Sequence, residues 1–153
     1  MNLSGIFGLI LALVTIAGAI LMGGNPGIFI NIPSAIFLFF AACGLEVMAS
    51  GLEDFRHALG RVRVLVLRVS PDALRRQDIE TLRHFAGRLY CAGIAGTIIG
   101  LIQMLASLDD PAKIGGGVAV AMLTTTYAFF TAEIIVRPAA QRIAFLLSED
   151  EAA

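Results

Sequence analysis

The feature that most constrains this chain is a pair of apolar runs, Leu89–Leu108 and Gly117–Val136, joined by a short polar connection. Each has the roughly 20 mainly apolar residues that a helix needs to cross a bilayer. The polar residues within them are chiefly glycines and threonines: Thr97 in the first run, and Thr124, Thr125 and Thr126 in the second. Lipid-facing helices have no need of these residues, whereas packed or water-lining helices do. Gly93, Gly96, Thr97 and Gly100 recur at intervals of three and four, so they share one helical face, and Gly96–Gly100 is a GxxxG pair. Gly117, Ala121, Thr124 or Thr125, Ala128 and Ala132 form a similar stripe on the second run. Small residues let helix backbones approach closely, which matters because lipid supplies no hydrophobic drive between helices. The threonines themselves suit two readings: hydroxyls bonded to their own backbone in a tight helix pair, or hydroxyls facing a path.

Two more apolar runs precede these. Leu3–Met22 has spanning length. It lacks the basic n-region of a secretory signal and is followed at once by a second apolar run, so a retained helix is expected. Gly23–Pro33 carries the Gly, Asn and Pro of a turn. Ser34 is expected to cap the next helix, Ala35–Ala49. With 58% hydrophobic and 15% charged residues, the composition is not that of a soluble domain. No basic patch is interleaved with aromatics, so nucleic acid is not an expected partner and membrane lipid is.

The arginines set the orientation. Arg56, Arg61, Arg63, Arg68, Arg75, Arg76, Arg83 and Arg88 crowd the middle segment, and Arg137 and Arg142 flank the end of the last run. The short connections 23–33 and 109–115 hold one basic residue, Lys113. The positive-inside rule then puts both ends of the chain and the middle segment in the cytoplasm. The expected fold is a single all-α membrane domain over residues 1–153. Its four transmembrane helices lie at about 3–22, 34–52, 89–108 and 117–137, with a short cytoplasmic helical extension, 53–88, between helices 2 and 3. In that extension Phe55, Leu59, Val62, Val66 and Val69 follow a helical period that continues the second span. RVRVLV also alternates as a strand would. Ser70-Pro71-Asp72 reads as a helix start, with Ile79, Leu82, Ala86 and Leu89 on one face leading into the third span.

The strings GTIIGLIQML, LDDPAKIG and AVAMLTTTY, with the late Pro138, occur in the order found in the MotA/TolQ/ExbB family, and the chain closely resembles its MotA branch over Gly93–Ile143. The opening GLILALVTIAGAILMGGNPGIFINIPSAIFLFF resembles the family's first hairpin more loosely. The resemblance implies an ion-conducting (H+ or Na+) channel subunit of a rotary motor or energising complex in the bacterial inner membrane. It also implies a homopentamer around a single-span MotB/TolR/ExbD-like partner that carries the ion-binding aspartate. Carried over by position, Thr97, Thr124 and Thr125 line the ion path. Threonine hydroxyls supply oxygen ligands to a dehydrated ion without the penalty of a charge. No cofactor is implied beyond the transported ion.

The sequence departs from the family at three points. About 36 residues, 53–88, stand where the MotA branch has a much larger cytoplasmic domain that grips the rotor, and so short a segment cannot form a comparable one. Tyr90 replaces a usual proline tied to coupling, and Ala128 replaces a frequent glycine. These departures keep a second reading open, a non-conducting structural or regulatory membrane oligomer of the same fold.

No catalytic constellation is present. His57 and His84 fall in the charged segment and are expected to be solvated. Cys43 and Cys91 have no CxxC spacing and read as packing thiols, so no metal is expected. IGGGVA lacks the GK[ST] ending of a phosphate loop. Asp109-Asp110-Pro111 reads as an outer turn. Two carboxylates lie in apolar helices, where insertion costs about 2.5–3.5 kcal/mol, so each calls for an explanation. Glu133 has Arg137 four residues on. Glu46 sits roughly 18 Å along its helix from Ser34 and is expected either to face an interhelical cavity or to reach the cytoplasmic arginines.

Overall fold

The computed structural model describes residues 3–67, 69, 73–106, 108, 109 and 111–151, and among them no strand occurs. Helices α1 (Leu3–Met22), α2 (Ile32–Ser50), α3 (Leu52–Arg61), α4 (Arg76–Leu105), α5 (Pro111–Phe130) and α6 (Arg137–Glu151) follow in order. Four stretches are long and apolar enough to cross a membrane: Gly5–Met22, Pro26–Ser50, Arg76–Leu105 and Ile114–Glu149. The chain is a multi-pass helical membrane protein.

Between α1 and α2, Gly24 takes φ +106 and Pro26–Phe29 forms a 3-10 turn capped by Asn25, whose Oδ1 accepts from the Gly27 N–H at 2.9 Å. The cap of α2 is Asn31, not Ser34. Extended backbone at Asn31 (φ -127) lets its Oδ1 accept from the Ser34 N–H at 2.9 Å. Pro33 fills the first turn, where a missing N–H costs nothing. Ser34 is instead buried, so its hydroxyl faces the interior of the bundle.

The expected continuation of the second span into the cytoplasm does not occur. Gly51 breaks it with φ +81 and ψ 159, a conformation that side-chain-bearing residues avoid. The chain re-enters helix at once as α3, now aimed so that Phe55 packs against Phe85 of α4, the rings tilted by 59° with centroids 4.9 Å apart. RVRVLV forms no strand either. Val62–Leu65 is a 3-10 turn that buries the adjacent Val64 and Leu65 together, packing them toward α6. The Ser70-Pro71-Asp72 start lies outside the described residues. The long helix α4 begins at Arg76, with the Arg75 N–H donating to Asp78 Oδ2 at 3.0 Å.

At 30 residues α4 is ~45 Å long, well beyond the hydrocarbon core of ~30 Å. It is the central element, packed on α2, α3, α5 and α6. Leu82, Phe85, Leu89, Ala132, Val136 and Ile143 form the buried centre. Helices α5 and α6 run on as one rod through a π-helical turn, Thr131–Val136. Pro138, just beyond, has no N–H and its ring presses on the preceding turn. A widened turn in front of it accommodates that ring. Helix α1 packs loosely, lining clefts with α5 and α6, and no residue of Gly5–Met22 is buried.

Candidate functional site: the α4–α5 seam

The seam is built by small residues meeting at contact distance. A methyl placed on Gly93 would stand 2.6 Å from Ala128 Cβ, and one on Gly100 would stand 2.9 Å from Ala121 Cβ and 3.1 Å from its amide nitrogen. A methyl on Gly96 would meet Thr124 Cγ2 at 2.5 Å and the Phe37 ring of α2 at 3.0 Å, and one on Gly117 would meet Met104 Cβ at 2.8 Å. Gly93, Gly96, Gly100, Ala121 and Ala128 thus all lie within the contact.

The threonines divide between the two flanks of this seam. Thr97 Oγ1 donates or shares its proton within a cluster of oxygens: Gly93 O at 3.0 Å, Ala121 O at 2.8 Å and Thr125 Oγ1 at 2.5 Å. Thr97 is half-buried and Thr125 exposed, so the hydroxyl pair opens outward. Thr124 turns the other way. It is 2% exposed, its methyl fills the space left by Gly96, and its hydroxyl donates to Val120 O at 2.9 Å. Adjacent helical positions point about 100° apart, so the seam cannot place both Thr124 and Thr125 on one side. Thr126 is bonded to Met122 O and joins neither.

Both intramembrane carboxylates have partners. Glu133 lies 3.0 Å from Arg137 Nη1 and also accepts a hydrogen bond from the Tyr90 hydroxyl across the seam. The Arg137 guanidinium sits 5.6 Å from the centre of the Tyr90 ring. Glu46 is fully buried, accepts from Ser50 Oγ, and has Arg88 Nε 3.6 Å from its Oε2. Of the two expectations for Glu46, it is the arginine that the side chain reaches, on the α2 flank.

His57, expected to be solvated, is instead half-buried and held by two partners. Its Nδ1 lies 2.7 Å from Asp78 Oδ1 and its Nε2 lies 3.0 Å from Arg61 Nη2. A guanidinium can only donate, so Nε2 is the acceptor and Nδ1–H donates to the carboxylate. Asp78 is 1% exposed and also takes the Arg75 main-chain N–H, which explains how a buried charge is tolerated there. His84 is exposed, as expected of it. Cys43 packs at the edge of the core, whereas Cys91 is exposed. Asp109 is exposed in its turn, and Asp110 lies outside the described residues. No cluster able to hold a metal occurs among the described residues.

Two residues carry contacts that periodicity did not reveal. The Tyr127 hydroxyl donates to Phe29 O and accepts from the Asn31 N–H at 2.8 Å, tying α5 to the first turn of the chain. Asp78 anchors a clasp between α3 and the start of α4. An aromatic hydroxyl in an apolar run and an acid three residues past a helix start were the available signals.

A four-span helical protein with a glycine-packed helix pair and an outward-facing hydroxyl pair belongs to the class of multi-pass membrane proteins whose helices pack around polar groups. Residues 69–151 match the MotA/TolQ/ExbB proton channel family, and the chain belongs to that family. It is 24% identical to motility protein A of Aquifex aeolicus over 210 aligned positions, covering 94% of this chain and 82% of that protein. The aligned length exceeds the 153 residues here, so the alignment contains gaps. The chemotaxis protein PomA of Vibrio alginolyticus is 35% identical over 72 residues, 47% of this chain and 28% of PomA. The fold matches the solved structure of C. jejuni MotAB with a TM-score of 0.67 and 20% identity, over 97% of this chain and 84% of that one.

Proposed function

We propose that this protein is a cation-conducting subunit of a stator-type motor or energising complex in the bacterial inner membrane. Five copies form a ring around a single-span partner bearing an aspartate, with both ends of the chain on the cytoplasmic side. The observation that carries this reading is the Thr97–Thr125 hydroxyl pair, open on one flank of the glycine-packed helix pair. In a ring with that flank inward, the copies present a belt of neutral oxygens to a passing H+ or Na+, which needs replacement ligands for its lost water. Thr124, bonded within its own helix on the opposite flank, belongs to the packing and not to this belt. The family match and the similarity to MotAB support a partner subunit.

The test is ion flux through the chain co-assembled with its single-span neighbour in vesicles, with internal H+ and Na+ dyes read in parallel. Thr97→Val and Thr125→Val keep the side-chain shape and remove the hydroxyl. Both are expected to cut flux while the assembly keeps its native mass. Unchanged flux in both would overturn the threonine path.

The second reading, a non-conducting oligomer of the same fold, is favoured by one observation. Tyr90, standing where relatives carry a proline, bonds across the seam to Glu133 and ties α4 to the rod of α5 and α6. A wild-type complex that passes neither ion would decide for it.

A further inference from the structure

Tyr90 and Thr97 are seven residues apart on α4, two turns or ~10 Å, and so lie on one face. Each makes a contact across the seam: Thr97 to Thr125, and Tyr90 to Glu133. The two contacts therefore lie on the same flank, one above the other, with Glu133 on the side of the cytoplasmic arginines. Helix α2 covers the opposite flank, where Phe37 meets Gly96 and Arg88 meets Glu46. The Glu133 side chain is 31% exposed and lines a cleft whose other wall includes Gly8, Leu9 and Ala12 of α1. The π-helical turn Thr131–Val136 contributes to its placement. A π turn advances fewer degrees per residue than an α turn, so it resets the direction of residues beyond Phe130.

Arg137 has two places to rest. Its Nη1 lies 3.0 Å from Glu133 Oε1, and its guanidinium carbon is already 5.6 Å from the Tyr90 ring centre, within reach of a cation–π contact. The other charged groups around the carboxylate are also cationic. Arg142 lines a cleft of about 490 Å³ together with Glu133, and Arg83 shares a smaller cleft with Arg137.

We propose that Glu133 is an intrinsic monovalent-cation ligand at the cytoplasmic end of the path, with Arg137 as its tethered counter-cation. This rests on the conduction path proposed above. A cation coming down from the hydroxyl pair replaces the guanidinium at Glu133 Oε1, and Arg137 withdraws onto the Tyr90 ring. When the cation leaves for the cytoplasm, Arg137 returns. One positive charge departs as another arrives, so the carboxylate is at no point left without a cation. If the cation is H+, it adds to a Glu133 oxygen as an O–H bond and leaves that oxygen for water; no other bond changes. Tyr90 and Arg137 are positioning residues in this scheme.

The test uses the co-assembled complex in vesicles, with Na+ and H+ dyes as separate arms. Glu133→Gln, which keeps shape and the Tyr90 bond, is expected to lower flux of the conducted ion roughly tenfold, the effect of about 1.4 kcal/mol on a barrier. In the double variant Glu133→Gln/Arg137→Met the flux stays low. Full flux in Glu133→Gln overturns the proposal, and so does recovery of flux in the double variant, since that is how a merely structural ion pair behaves. The dye that responds identifies the cation. A readout free of flux is carbodiimide labelling of Glu133 in the full chain, mapped by mass spectrometry. In Arg137→Met the label is expected to enter faster than in wild type, and Na+ in place of choline slows it if Na+ is the ligand. Labelling indifferent to Arg137→Met overturns the proposal even where no complex conducts. Low flux in Glu133→Gln beside normal flux in Thr97→Val and Thr125→Val removes the threonine path alone. The reverse pattern removes this site alone.

Discussion

Gly93 lies so close to Ala128 that a methyl on its Cα would stand 2.6 Å from the alanine's Cβ, nearer than side-chain carbons approach. Gly100 is placed still more tightly, since a methyl there would also meet the Ala121 main chain at 3.0–3.1 Å. Gly100→Ala is therefore expected to destabilise the fold by about 1–3 kcal/mol through overpacking, after allowing for the helix propensity that alanine gains. Gly87, on the same helix, has nothing within 4 Å of its would-be methyl, and Gly87→Ala is expected to be neutral or stabilising by up to about 1 kcal/mol. Thermal unfolding midpoints in detergent should move in opposite directions for the two variants.

Thr124 and Thr125 are neighbours with different surroundings. Thr124→Val preserves the methyl that fills the space beside Gly96 and removes only a bond to its own helix, so a stability change within about 1 kcal/mol and unaltered flux are expected. Comparison with Thr125→Val in the same flux measurement separates the flanks. A larger flux loss in Thr124→Val would reverse the assignment.

Glu46 is a carboxylate with no exposed surface, and Arg88 is the cation beside it. Arg88→Met leaves it without that cation, with an expected cost of about 3 kcal/mol, the low end for a broken buried pair because Arg88 is itself 40% exposed. Glu46→Gln/Arg88→Met removes both charges, keeps the acceptor for Ser50, and is expected to recover most of the loss. A double variant no more stable than Arg88→Met would show that the arginine's packing, not its charge, is what matters.

Asp78→Ala strips the clasp of its acceptor and strands the His57 and Arg75 donors, with an expected loss of about 3 kcal/mol or more. His57→Ala leaves Asp78 its two arginine contacts and is expected to cost about 1–2 kcal/mol. Hydrogen exchange of the α3 amides reads the order directly, fastest in Asp78→Ala. Equal exchange in both variants would mean that the aspartate contributes nothing beyond its bond to the histidine.

Much of the architecture could be read before any coordinates, because bilayer thickness turns a count of apolar residues into a helix and glycine spacing into a helix contact. The four spans and the Gly93, Gly96, Gly100, Ala121 and Ala128 seam follow from one-dimensional patterns that a helix converts directly into a face. The end of the second helix did not follow. Phe55 to Val69 keep a helical period, but a period cannot register that Gly51 takes φ +81 and redirects the chain. Asn31 likewise outranked Ser34 as a cap through the local backbone angle and the proline between them.

The amino-acid order by itself determined the membrane class, the family, the pairing of the last two spans and the presence of hydroxyls and acids within them. Only the tertiary structure decided which flank each polar group occupies. Thr97 and Thr125 share an open side, Thr124 takes the α2 side, and Tyr90 stands over Glu133 and Arg137. The physical reason is rotational. A residue's direction around a helix is set by the winding of every turn before it and by which neighbour covers each side. A π turn, a positive-φ glycine or the packing of α2 shifts those directions without altering the spacing of residues along the chain.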